Sequence, residues 1–170
     1  MLRDLCIFAW DVDSAYLHGK MDHDLYIHLP DRYGDPGRVG KLKKVLYGLP
    51  EAARIWREDL EEKLKSLGFS PLESDPGVFL RKSSKGITAI DTHVDDGTRI
   101  CSSEEEETNL KAGIQKFYKL KEKDTSKPFK VLGMLVARNM HDGTLKLSQP
   151  EYIELADCNP SQCQLRKVHT

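Results

Sequence analysis

The 170-residue sequence has no long apolar run: its longest, "LCIFAW", is far short of the roughly 20 residues a membrane-spanning helix needs. Only four residues, Arg3 and Asp4 among them, precede that run, and no small-residue cleavage pattern follows it, so it does not read as a secretory leader. We therefore expect no membrane partner and an intracellular, cytoplasmic location, with the nucleus also open. Excess positive charge is missing too. Lys+Arg 26 against Asp+Glu 27 leaves a net charge of -1, which excludes a global field for phosphate backbones and confines any nucleic-acid contact to local patches. Cysteine is scarce. Cys158 and Cys163 are its one close pair, and their spacing is neither that of a zinc knuckle nor a redox C-x-x-C, so the thiols read as reduced and structural. No internal repeat or low-complexity segment is present. With 39% hydrophobic residues, the length fits one compact domain with a genuine core.

"LCIFAWDV" has the length and apolar continuity of a buried strand and ends on a carboxylate, Asp11. "DLYIHLP" and "RVGKLKKVLYG", joined by the turn-rich "DRYGDPG", predict a β-hairpin arm over 23–48. From 51 to 67, Trp56, Leu60, Leu64 and Leu67 recur at helical spacing, and Gly68 closes the helix. Three short strands follow, separated by "SSKG" and "DDG". Ser103 and Glu106 then form a capping box for a second helix with Leu110, Ile114, Phe117 and Tyr118 inward, and the acidic run 104–107 reads as charge on the helix first turn matched to its dipole. "FKVLGMLVARN" and "GTLKLSQ" predict a last strand pair around "MHDG", and Pro150 opens a short helix. This order predicts an α+β fold of ferredoxin-like βαββαβ type, an antiparallel sheet with two helices on one face and the other face available to a ligand, over 1–157, with a tail at 158–170.

Three carboxylates stand out. In a βαββαβ sheet the first and third strands are neighbours, so Asp11 meets Asp95 and Asp96 at one edge. Carboxylates gathered there need cations between them, and paired hard divalent ions are the usual clamp for phosphoryl and nucleotidyl transfer. Each feature also has a plain reading: "DDG" alone is a tidy hairpin connection with Asp96-Gly97 at its tip, and Asp11 alone is a cap for the next turn.

The whole chain separates these readings. "WDVDSAYLHGKMDHDLYIHLP", "GKLKKVLYGLPEAARIWREDLEEKLKSLGFSPLESDPGVF", "HVDDG", "VLGMLVARN" and "LSQPEYI" occur in that order. Together they resemble the reverse transcriptase domain of copia-type long-terminal-repeat retrotransposons, from about Cys6 to Pro160, most specifically over 42–79. The resemblance implies an RNA-directed DNA polymerase palm working by two-metal nucleotidyl transfer, with an RNA template, a DNA primer, dNTPs and Mg²⁺ or Mn²⁺. It implies Asp11, Asp95 and Asp96 as catalytic metal ligands, the Val12 carbonyl as a further ligand, and Tyr16 as the ring under the deoxyribose. Lys41, Lys43, Lys44, Arg54 and Arg57, with Tyr47 and Trp56 between them, are the candidates for nucleic-acid backbone contacts. Their plain reading is a solvated basic strand and a helix whose Trp56 is core.

The chain departs from the family's pattern in several places. It begins near the first catalytic strand, so we expect a palm without fingers, thumb or ribonuclease H. Pro50, Glu51, Ala52 and Ala53 stand where the family has Lys-Gln-Ala-Pro, which sets a negative charge near phosphates. Thr92 and His93 replace apolar residues before the V-D-D step, and Gly97 replaces a large one after it. Alternation places Asp91, His93 and Asp95 on one face, either as an additional metal site or as a weakened, partly exposed strand. The Cys-Asn-Pro step arrives early. The alternative implied is a catalytically inactive, retrotransposon-derived nucleic-acid or protein binding module.

Overall fold

A computed structural model describes residues 5–34 and 37–157; the tail at 158–170, with Cys158, Cys163 and the Cys-Asn-Pro step, lies outside them. The chain's contacts group it into two compact units that meet between Lys123 and Asp124, where length alone pointed to one. The larger unit contains strand β1 (Cys6–Val12), a 3₁₀ turn (Ala15–His18), strands β2 (Tyr26–His28) and β3 (Val39–Lys41), and helix α1 (Ala52–Ser66). It continues with β4 (Ser70–Pro71), β5 (Val78–Ser83), β6 (Gly86–His93), β7 (Asp96–Cys101), helix α2 (Glu104–Ile114) and β8 (Leu120–Lys123). Six strands form an antiparallel sheet in the order β4-β5-β6-β7-β1-β8, and β2 pairs with β3 as a separate ribbon within the expected arm.

The spacing of Trp56, Leu60 and Leu64 buries one stripe of α1 against the sheet. Gly68, at φ +85°, takes the left-handed conformation that ends the helix without a Cβ clash. Leu110 and Ile114 of α2 join the same cluster, which also takes in Trp10, Val12, Phe79, Ile90 and Cys101 from the sheet. Both helices therefore cover one face of the sheet. No described helix is long and apolar enough to cross a membrane.

Ser103 caps α2 as expected, its hydroxyl accepting from the Glu106 N–H at 3.2 Å. The acidic run forms the first turn of the helix as expected, with Glu104 and Glu105 exposed and the next two residues buried. Glu106 and Glu107 turn inward because two arginines on the strands beneath require counter-charges. Glu106 accepts from Arg81 at 2.6 Å, from Thr88 at 3.2 Å and from Ser83. Its hydrogen bond from Ser83, helped by the Arg81 guanidinium, holds its carboxyl below the usual range. Glu107 binds Arg99, which is 0% exposed and lies over the rings of Phe8 and Trp10 at 5.0 and 5.4 Å. Burial opposes the Arg99 charge, but Glu107 and Glu122 outweigh it and raise its pKa. Burial likewise pushes the Cys101 thiol up to about 12, which keeps it a neutral core group. Phe117 falls beyond the end of α2 and is partly exposed, whereas Tyr118 is buried as expected.

The strand beside β1 is β8, "LKEK", and not the expected "FKVLGMLVARN". Its apolar alternation is broken because only one of its two inward side chains, Leu120, is apolar; the other, Glu122, is held by Arg99 at 2.5 Å and Lys111 at 2.5 Å. Charged, short edge strands resist pairing with foreign chains. The smaller unit carries β9 (Phe129–Val131), β10 (Met134–Asn139) and β11 (Thr144–Ser148) in the order β11-β10-β9, then α3 (Pro150–Asp157). "FKVLGMLVARN" is thus two strands, because Leu132 and Gly133 at φ 49° and 76° fold it into a tight hairpin.

Gly97 stands directly opposite Trp10 in the β1–β7 pair, and a Cβ added there would fall 1.2 Å from the indole Nε1. The missing side chain makes room for the tryptophan. Gly97→Ala is expected to cost about 1–3 kcal/mol of stability by overpacking. Combined with Trp10→Leu, the loss is expected to be at least about 0.5 kcal/mol smaller than the sum of the two single losses, measured by urea unfolding. Strict additivity would show that the two positions do not share this space.

Candidate active site

β1 and β7 pair so that Asp11 lies directly opposite Asp96, and β8 sets Lys121 on the other side of Asp11. Opposed residues in an antiparallel sheet share a face, with Cβ atoms about 4.5–5.5 Å apart. One row across the sheet therefore reads His93, Asp96, Asp11, Lys121, and the next reads Asp91, Thr98, Ala9, Lys123. This is the face away from the two helices.

The hairpin tip is not Asp96-Gly97 as the sequence suggested. His93 pairs with Asp96, so the two turn residues are Val94 and Asp95, and Asp96 already belongs to β7. Val94 takes φ 56°, a conformation that a β-branched side chain rarely adopts. Three tethers hold the turn there. Trp56 Nε1 donates to the Val94 carbonyl at 2.7 Å, and the Val12 N–H donates to the Asp95 carbonyl at 2.8 Å. Thr92 donates its N–H and its hydroxyl to the Gly77 carbonyl, each at 3.1 Å. Trp56 is 2% exposed, so it braces the site and does not stack on bases. A cleft of about 180 Å³ beside the turn is lined by Trp56, Arg57, Thr92 and His93. A larger cavity, of about 640 Å³, is lined by His18, Asp22, Asp59 and Tyr118 and by none of the three aspartates, so we place the site by side-chain chemistry and not by size.

The carboxylates have lysine partners that the sequence reading missed. Lys123 Nζ lies 2.6 Å from Asp96 Oδ1. Asp13 receives Lys121 at 3.1 Å and Lys119 at 3.7 Å, and the Lys121 hydrogen bond is the main cause of its lowered pKa. The signal was present as "KLKEK", lysines at every second position, which alternation directs to one face.

The other predicted residues divide by environment. Tyr16 lies in the 3₁₀ turn after β1, half-buried, its ring 4.7 Å from that of Tyr47. Lys41 pairs with Asp24 at 2.6 Å, and Arg54 with Asp22 at 2.7 Å and Glu58 at 2.9 Å. The Arg54 and His23 contacts draw the Asp22 carboxyl down to about 2. Arg57 donates to the Pro76 carbonyl at 2.7 Å. Lys43 and Lys44 are exposed. Asp91 and His93 are also exposed, which agrees with a partly exposed strand.

Hard divalent cations take carboxylate oxygens, and Asp11 and Asp96 are two carboxylates that the strand register sets side by side. Among the described residues, however, no three His, Cys, Asp or Glu side chains gather as a metal-binding group. The family described as "Reverse transcriptase (RNA-dependent DNA polymerase)" matches residues 2–164. The chain belongs to the reverse transcriptase family. It is similar to a putative transposon Ty5-1 protein of Saccharomyces cerevisiae, 32% identical over 86% of this chain and 47% of that protein. It is also similar to the retrovirus-related Pol polyprotein from transposon TNT 1-94 of Nicotiana tabacum, 31% identical over 89% of this chain and 12% of that protein. A third relative is the Pol polyprotein from transposon RE1 of Arabidopsis thaliana, 37% identical over 51% of this chain and 6% of that protein. These matches make it a copia-type retrotransposon reverse transcriptase sequence that spans less than half the length of the relatives named.

Replacing Trp56 by Phe keeps a ring in the core but leaves the Val94 carbonyl without its donor. A loss of about 1–3 kcal/mol is expected. An unchanged urea midpoint would show that the indole N–H does not support the turn.

Proposed function

We propose that the larger unit is a ferredoxin-like polymerase palm and that the chain serves RNA-directed DNA synthesis. The reading rests on family membership and, within this chain, on the register that sets Asp11 opposite Asp96. The strand order β6-β7-β1-β8, with α1 between β1 and β6 and α2 between β7 and β8, supports the topology. Asp11 and Asp96 would hold Mg²⁺ or Mn²⁺, with Asp95 and the Val12 carbonyl beside them. When bound, such ions supply Lewis-acid stabilisation of charge on the reacting phosphate.

The chain's own residues have defined tasks in this reading. Trp56, Val12 and Thr92 keep the turn in the conformation that brings Asp95 next to the pair. Tyr16, braced by Tyr47, offers a ring to the sugar of the incoming nucleotide. Lys43 and Lys44 offer ammonium groups to the RNA template and DNA primer backbones, a contact expected to weaken with salt. Arg54 and Arg57 join only by giving up the partners they hold here.

A second reading, a binding module without catalysis, has one specific observation in its favour: lysines already neutralise Asp13 and Asp96 with no metal required. RNA-templated extension of a DNA primer, with Mg²⁺ or Mn²⁺, separates the two. Extension by the wild type, reduced about 100-fold or more in Asp11→Asn and Asp96→Asn, is the expected result. A folded protein that binds the primer–template but never extends it would replace the polymerase reading with the second one.

A further inference from the structure

Lys119, Lys121 and Lys123 alternate along the edge of the sheet, so all three project to the face that carries Asp11, Asp13 and Asp96. Lys119 and Lys121 pair with Asp13, Lys121 also standing directly opposite Asp11, whereas Lys123 reaches diagonally to Asp96. The backbone of β8 is fixed independently of these contacts. Glu122, on the opposite side of the strand, is anchored by buried Arg99 and by Lys111. The ammonium of Lys123 is therefore delivered to the carboxylate pair by a clamped strand.

Two like charges directly opposed on a sheet repel, and a cation beside them relieves that repulsion. In this chain the cation is covalently attached. We infer that Lys123 is a tethered counter-cation for the Asp11–Asp96 pair, and that a divalent ion reaches the pair only by displacing it. The inference rests on the reading of these two aspartates as divalent-metal ligands. The lysine and the metal compete for one carboxylate, so apparent metal affinity is the intrinsic affinity multiplied by the fraction of molecules in which Lys123 is released. Lys123 and Asp96 are each about a third exposed, 32% and 31%, so the lysine has solvent to move into. The contact acts as a brake on metal loading and not as a permanent block.

The test is calorimetric titration of Mn²⁺ into the wild-type chain and its variants, a readout that does not depend on activity. Lys123→Met and Lys123→Gln are each expected to bind Mn²⁺ roughly 2- to 5-fold more tightly than wild type, and Lys123→Arg to match wild type. Adding Asp96→Asn to Lys123→Met is expected to abolish the gain. A gain of affinity is not produced by damage to the fold, and two neutral variants guard against misfolding of one. Equal affinity in wild type and Lys123→Met, lost from both on Asp96→Asn, overturns the brake and leaves the metal reading standing. A gain that survives Asp96→Asn also overturns it. The absence of Mn²⁺ binding from every variant overturns both.

Discussion

The pairing of β1 with β7 runs in register from Cys6 opposite Cys101 to Asp11 opposite Asp96. Side chains alternate with period two, so a slip of one residue would turn Asp11 toward the helices and Trp10 toward the opposite face. Trp10 and Gly97 make that slip costly. The indole fills the space left by the missing side chain, and no other residue of β7 leaves such a space beside β1. The core thus fixes the position of the carboxylates on the face behind it. The bend at Val94 and Asp95 follows from the same register, because His93 opposite Asp96 leaves only two residues to reverse the chain.

Much of this was legible in the sequence. The stripe of Trp56, Leu60 and Leu64, the Gly68 stop and the Ser103 cap are local signals, and the structure follows them. The carboxylates could be brought together on paper because strand order decides which distant positions meet. Less was legible where charge takes the place of apolar pattern. Glu106 and Glu107 look like a solvated first turn until Arg81 and Arg99 are known to lie beneath them. "LKEK" carries no apolar alternation, so β8 could not be found by periodicity. The turn was misplaced by two residues, since Asp-Gly is the stronger local hairpin signal and only the Trp10–Gly97 contact overrides it. Val94 in a left-handed conformation is a tertiary outcome, held by Trp56 from a helix 38 positions earlier.

Arg99, on the helix-covered side of the sheet, ties β7 to both α2 and β8. Removing one partner from a buried ion pair commonly costs about 3–5 kcal/mol, so Arg99, Glu107 and Glu122 constrain one another strongly. That constraint positions β8, and β8 carries the lysines that face the aspartates. The site is therefore a balance of fixed charges: carboxylates presented by β1 and β7, ammoniums presented by β8. The lysine alternation sets three ammonium groups beside those carboxylates.

Crystals soaked in Mn²⁺ and measured near the manganese absorption edge show whether the two aspartates hold a metal. An anomalous peak is expected within coordination distance of both the Asp11 and the Asp96 carboxylates, with Lys123 withdrawn from Asp96. Manganese bound elsewhere, with Lys123 still paired to Asp96 and no peak at the aspartates, would contradict the metal reading.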